Sequence, residues 1–269
     1  MCRHLIPILA CIIMAPAIAC AAGDKAVMPL AVGNRWEYSV TEFGVMSIGE
    51  GSSSRSMQTE SEGTCTEEVI SIKEKRPNGD VVYEHRSVTN MEAGLNTEAD
   101  DLTIDSLLLA SEKGVFILAS KASGLKELSS KWVKYDPPLV LFGSEMSPGS
   151  DWKVGTVKED ELRMPMTAMV AGYETVTVPA GTFENCIKIY VVCENVKGTI
   201  GSGKDKTTVK SGKSVSTAWI LPSVGVIKEE SIIQMKMQFP PDEYGPAALM
   251  TGTHRKTKGL LPGYRVGTP

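Results

Sequence analysis

Histidine is scarce in this chain: there are three in 269 residues, and only His85 and His254 lie beyond the first few positions. No His-Glu-x-x-His zinc motif, Gly-x-Ser-x-Gly elbow or phosphate-binding loop occurs. Gly201-Ser202-Gly203-Lys204 has the wrong spacing for a phosphate cradle, and Asp100, Asp101 and Asp105 lack the ligand order of a calcium loop. No enzyme, metal site or cofactor is therefore read. A strong surplus of one charge sign is also missing. The net charge of -4 argues against a nucleic-acid binder, which would carry a basic face. After the N-terminus no run of about 18 apolar residues occurs, so no transmembrane helix is expected in the mature chain. Long, capped patterns of 3.6-residue period are absent too, although ADDLTIDSLLLA (99–110) has room for a short helix.

The N-terminus has the three parts of a secretory signal. Arg3 and His4 precede the apolar LIPILACIIMAPAIA, and small residues follow at AIACAAG. Residues 1–20 are read as a signal peptide cut near Ala19 or Cys20, with 21–29 as a short linker. Ala17-Ile18-Ala19 before Cys20 fits a weak lipobox and equally a plain A-x-A site, so Cys20 is a lipidation candidate. The expected location is exported: periplasmic or outer-membrane-associated, with any membrane contact through that lipid anchor.

From residue 30 to 240 the pattern has period two. Trp36, Tyr38 and Val40 alternate with Glu37, Ser39 and Thr41, and Ile233, Met235, Met237 and Phe239 alternate with polar residues. Pro77-Asn78-Gly79-Asp80, Glu112-Lys113-Gly114 and Pro179-Ala180-Gly181 each mark a hairpin turn. The fold class expected is mainly β: one curved antiparallel sheet, a half-barrel or open barrel, with few short helices. Long mobile loops are expected at 44–63 and 198–213, and 241–269 reads as an irregular or flexible tail. PLAVGNRW (29–36) is echoed by PLVLFGSEMSPGSDW (138–152), a turn-to-strand device used twice.

Three segments, PLAVGNRWEYSV, VTVPAGTFENCIKIYV and WILPSVGVIKEES, resemble a diffuse group of uncharacterised exported or lipoprotein envelope proteins. Those proteins look like relatives of the lipoprotein-localisation (LolA/LolB-like) half-barrels. The resemblance implies a curved sheet with an apolar concave face. It speaks to turns and strand starts, not to catalysis.

Cys65, Cys186 and Cys193 are disulfide candidates. Cys186 and Cys193 stand seven apart on one strand and point to opposite faces, leaving Cys65 with either as the pairing; buried free thiols are the alternative. His85 reads as a surface or rim residue. Two basic clusters, Lys204, Lys206, Lys210 and Lys213, and His254, Arg255, Lys256 and Lys258, read as a hairpin tip and a tail patch. Trp36, Trp132, Trp152, Trp219, Ile233, Met235, Met237 and Phe239 are candidates for a hydrophobic face. The function expected is a non-enzymatic envelope protein that binds a lipid-like ligand or an envelope partner. A structural subunit with a filled core is the alternative, and an envelope hydrolase the minority one.

Overall fold

Side-chain alternation dictates the architecture. In LRMPMTAMVAG, Leu162, Met164, Met166, Ala168 and Val170 are buried, while Arg163, Pro165, Thr167 and Met169 face water. A strand with one apolar and one wetted face must curl its apolar face onto a neighbour. The computed structural model describes residues 29–49, 55–92, 101–124, 131–200, 206–222, 224–240 and 248–267. It contains twelve strands: β1 (Arg35–Ile48), β2 (Arg55–Lys75), β3 (Val81–Met91), β4 (Asp101–Ser111), β5 (Gly114–Ser123), β6 (Val133–Gly143), β7 (Asp151–Glu159), β8 (Leu162–Val178), β9 (Gly181–Ile200), β10 (Thr207–Leu221), β11 (Gly225–Gln238) and β12 (Leu249–Leu260). Every ladder is antiparallel, in the order β6-β5-β4-β3-β2-β1-β12-β11-β10-β9-β8-β7. The result is a nearly closed, all-β barrel, and no helix occurs among the described residues.

The barrel is two six-stranded meanders joined by the β1·β12 ladder, which runs from Tyr38↔Leu260 to Ile48↔Met250. Strands β6 and β7 meet at the remaining seam without a ladder. Pro137 and Pro138 on β6 have no N–H to offer. Side chains close the gap instead: Trp152 Nε1 donates to the Val140 carbonyl at 3.1 Å. Gly155 lets β7 approach, since a Cβ there would lie 2.6 Å from Leu139 Cδ2. Each meander begins with one of the echoed Gly-to-Trp devices, Trp36 on β1 and Trp152 on β7.

The three segments that carried the family resemblance meet at one rim of the barrel. Trp36 is fully buried there, and its Nε1 donates to the Val224 carbonyl at 2.6 Å. Tyr38 Oη donates to the Val226 carbonyl at 3.2 Å. The Pro179-Ala180 turn folds over the same rim, with Ala180 N donating to the Leu260 carbonyl at 2.9 Å. The chain also enters and leaves here, where Arg35 and Arg265 exchange backbone hydrogen bonds. We call this the stapled rim and its opposite the far rim.

Several expectations are corrected. The stretch 241–269, expected as a flexible tail, contains β12, a central staple of the barrel. The candidate helix at 99–110 is mostly β4. The expected loops at 44–63 and 198–213 are largely strand, because β1 runs to Ile48, β2 starts at Arg55, β9 runs to Ile200 and β10 starts at Thr207. The signal, the linker up to residue 28 and Cys20 lie outside the described residues.

Replacing Trp36 by Ala removes the plug of the stapled rim and leaves a cavity, with an expected loss of about 3–5 kcal/mol. Trp36→Phe should lose less, retaining most of the ring but leaving the Val224 carbonyl without its donor. Urea denaturation of both variants, read by far-UV circular dichroism, checks the order.

Candidate functional site

The inner face of the barrel is not uniformly apolar. On β12 the inward positions are Lys258, Lys256 and His254, opposite Val40, Glu42 and Gly44 of β1. Cys65 and Glu67 of β2, His85 and Ser87 of β3, Ser106 of β4 and Glu229 of β11 are also buried. Near the stapled rim, Lys258 Nζ contacts Glu67 Oε1 and lies 4.0 Å from the centroid of the Tyr38 ring. His85 Nε2 stands 4.0 Å from Glu67 Oε2. Glu67 Oε2, both His85 nitrogens and Ser106 Oγ are buried with no hydrogen-bond partner among the described residues. One level toward the far rim, Glu42 Oε1 meets Lys256 Nζ at 2.9 Å and Glu42 Oε2 meets His254 Nε2 at 3.3 Å.

Burial and charge set the protonation states of this column. Burial disfavours the Lys258 ammonium, but the acidic groups facing it outweigh burial and hold its pKa above the ordinary lysine value. Burial raises Glu67, and the Lys258 ammonium limits that rise. Tyr38 is pushed up by burial and by Glu67. Burial, assisted by Lys258, lowers His85 to about 3, so its ring is neutral at pH 7. For Glu42 burial works upward, yet hydrogen bonds from His254 and Lys256 with their charges bring it down to about 2. His85, expected at the surface, is thus fully buried, and the expected basic tail patch is split, with His254, Lys256 and Lys258 inside and Arg255 outside.

Toward the far rim the inner wall changes character. Met46, Met164, Met166, Met235, Met237 and Met250 share the inner face of β1, β8, β11 and β12. Glycines punctuate the same wall: Met46 pairs with Gly252, and Met235 pairs with Gly252 and Gly212. Most of these methionines are buried, so the described interior is filled by side chains.

The candidate hydrophobic-face residues fall into three groups. Trp36, Ile233 and Met237 are inside and buried, and Met235, Phe239 and Trp152 pack against that core half-buried. Trp219 lies on the outer face, hidden by Lys188 and Lys228 at 5.3 and 5.1 Å from its ring, with Nε1 donating to Glu174 Oε2 at 2.6 Å. Trp132 is exposed beside Lys121. The disulfide expectation is corrected: Cys65, Cys186 and Cys193 are buried free thiols. Cys65 faces Ser87 at 3.3 Å on β3, away from β9, and burial pushes Cys186 and Cys193 up to about 11. Among the described residues no cluster of His, Cys, Asp or Glu forms a metal site, and Asp105 is paired with Arg86 and Lys121.

The outer face holds a concavity of about 810 Å³ across β9 to β12 and β1. Outward side chains of Val45, Ser47, Lys213, Gln234, Lys236, Thr251 and Thr253 surround it. Sequence reasoning missed it, since only the register brings residues from five strands together.

No family model matches this chain, and no curated protein matches it. Among solved structures, a candidate lipoprotein from Parabacteroides distasonis is similar over 90% of this chain and 99% of its own, at 14% identity and TM-score 0.37. DynF of the dynemicin biosynthesis pathway of Micromonospora chersina is similar over 87% of this chain and 84% of its own, at 8% identity and TM-score 0.28. Both scores are below 0.5, so neither likeness carries an argument about what this chain does.

The buried column makes stability depend on pH in two windows. Unfolded His85 takes a proton below its ordinary value of 6.5, whereas the folded ring refuses it until about 3, so stability falls as pH drops through that range. Glu42 contributes stability that is full above 4.5 and lost as pH falls toward 2. His85→Leu removes two unpartnered nitrogens, so it should be neutral or stabilising by up to about 2 kcal/mol at pH 7. It should also remove a slope of about 1.4 kcal/mol per pH unit between the two His85 values. Thermal unfolding across pH for His85→Leu and Glu42→Gln separates the windows.

Proposed function

We propose that the protein is a non-enzymatic cell-envelope protein that takes a hydrophobic, lipid-like ligand into the far-rim half of its barrel. The supporting observation is the inner wall of six methionines interrupted by Gly44, Gly212 and Gly252. Methionine has three rotatable side-chain bonds and a polarisable sulfur, so such a wall can repack around an irregular apolar guest. Twelve strands also exceed the roughly eight at which inner side chains just fill a barrel. The stapled rim suits the opposite role: Trp36 and the Lys258–Glu67 pair make a fixed floor below a wall that can repack.

The envelope part of the reading rests on the N-terminal signal pattern and the lipidation candidate Cys20. The outer face fits a wetted surface: Glu60, Arg86, Lys188 and Glu230 occupy outward positions, the reverse of the apolar outer band of a membrane-spanning barrel. A filled, inert core with function only on the surface is the competing reading, favoured by the burial of the inner side chains.

Native mass spectrometry of the mature chain purified gently from its own envelope, followed by lipid extraction, decides between them. The expected result is a near-stoichiometric acyl species, lost in Met235→Glu/Met237→Glu while the far-UV spectrum stays that of the wild type. A bare mass from the wild type, with no acyl chain extracted, would sink the ligand reading and leave the scaffold.

A further inference from the structure

The outer concavity carries a second inference, resting on its outward side chains. Lys197, Lys213 and Lys236 line it together with Ser47, Ser211, Gln234, Thr251 and Thr253, and Glu194 is its one carboxylate. This gathering of cations is conspicuous in a chain of net charge -4. Elsewhere Lys73, Lys121, Lys188, Lys206, Lys228, Lys256 and Lys258 each pair with a carboxylate, whereas Lys75, Lys113, Lys131, Lys134, Lys153, Lys158 and Lys210 stand apart on the surface without one among the described residues. Lys197, Lys213 and Lys236 make no ion pair with a described residue.

The strand register adds an independent argument. Lys158 of β7 stands directly opposite Arg163 of β8, and Arg163 stands directly opposite Lys197 of β9. All three are exposed on the outer face. Like charges directly across a ladder destabilise a sheet, and the sequence places three in a row leading into the concavity. Glu161, two residues before Arg163, is engaged by Lys206 at 3.1 Å and by Thr199 Oγ1.

We infer that this concavity is a binding site for a phosphate-bearing anion. Ammonium groups supply the charge. The hydroxyls of Ser47, Ser211, Thr251 and Thr253 and the amide of Gln234 supply neutral donors of the kind that phosphate oxygens accept. Gly212, Gly252 and the half-buried Met235 also border the depression, so it backs directly onto the methionine wall inside. The phosphate belongs either to a lipid head group or to a soluble phosphorylated compound; the chemistry of recognition is the same.

The test uses the mature chain, two probes and two variants. Isothermal titration with inorganic pyrophosphate at low ionic strength should give saturable binding, weakened about fivefold for each lysine removed in Lys197→Gln/Lys213→Gln/Lys236→Gln. Lys75→Gln/Lys113→Gln, at the stapled rim, should bind as the wild type does. Flotation with vesicles of phosphatidylglycerol in phosphatidylcholine identifies the source. Vesicle binding that pyrophosphate displaces and the triple variant loses assigns a lipid head group, and pyrophosphate binding without vesicle binding assigns a soluble phosphate compound. Binding of neither probe, or equal weakening in the two variants, would overturn the site. None of these readouts depends on whether the lumen holds an acyl chain.

Discussion

The ladder between β1 and β12 is the constraint on which the barrel depends. It joins residues about 220 apart in sequence, Tyr38 to Leu260 and Val40 to Lys258, and it is the one strand ladder between the two meanders among the described residues. Pairing of such separated segments has a high entropic cost and must be supported by strong local gains. Three rim contacts supply them: the Trp36 indole on the Val224 carbonyl, the Tyr38 hydroxyl on Val226, and Ala180 on Leu260. The first two tie β1 to the β10–β11 turn and the start of β11, and the third fixes the end of β12 under the β8–β9 turn. The opposite seam, β6 against β7, needs no ladder because the cylinder is already held from the other side, so prolines are tolerated there.

The charged column lies against that same ladder, which explains why it persists inside a protein core. Glu67, Lys258 and Tyr38 sit on three neighbouring strands, and a slip of one residue in any of them would turn a charge outward and an outer threonine or serine inward. Replacing a buried ion pair with apolar residues is often neutral for stability, so the pair is better understood as setting register than as adding strength. His85 and Ser106 do not fit this account. Their unpartnered atoms cost stability and specify nothing visible in the ladder, and no compensating contact for them is found among the described residues.

The legible part of the fold follows from this division. Where inward residues are apolar, as in β8, the start of β1 and the far-rim half of β11, the period of two reads directly from sequence. It fails for β12, because MTGTHRKTKGL puts lysines and a histidine inside and threonines outside, inverting the usual code. The same inversion hid His85. The resemblance motifs were read rightly as turns and strand starts, but their meeting at one rim requires the closed topology, which no local pattern encodes. The cysteines misled for a related reason: spacing excludes a Cys186–Cys193 bridge but says nothing of the distance from β2 to β9, which the β1·β12 join sets.

The candidate sites divide the barrel along its axis and across its wall. Side chains at the stapled rim are large and aromatic, or charged and paired, and they have few alternative packings. Those at the far rim are methionines beside bare glycine backbone, and they have many. Rigidity at one end makes adaptability at the other tolerable, because a wall that repacks still needs fixed strand ends to return to. The outer lysines lie on the far-rim half of β9, β10 and β11, and the inner face of β11 carries Met235 and Met237. An anion seated outside and an apolar chain admitted inside would thus act on opposite faces of the same strands. Whether the two couple reduces to one quantity: the change in affinity for one ligand when the other is bound, which must be equal in both directions.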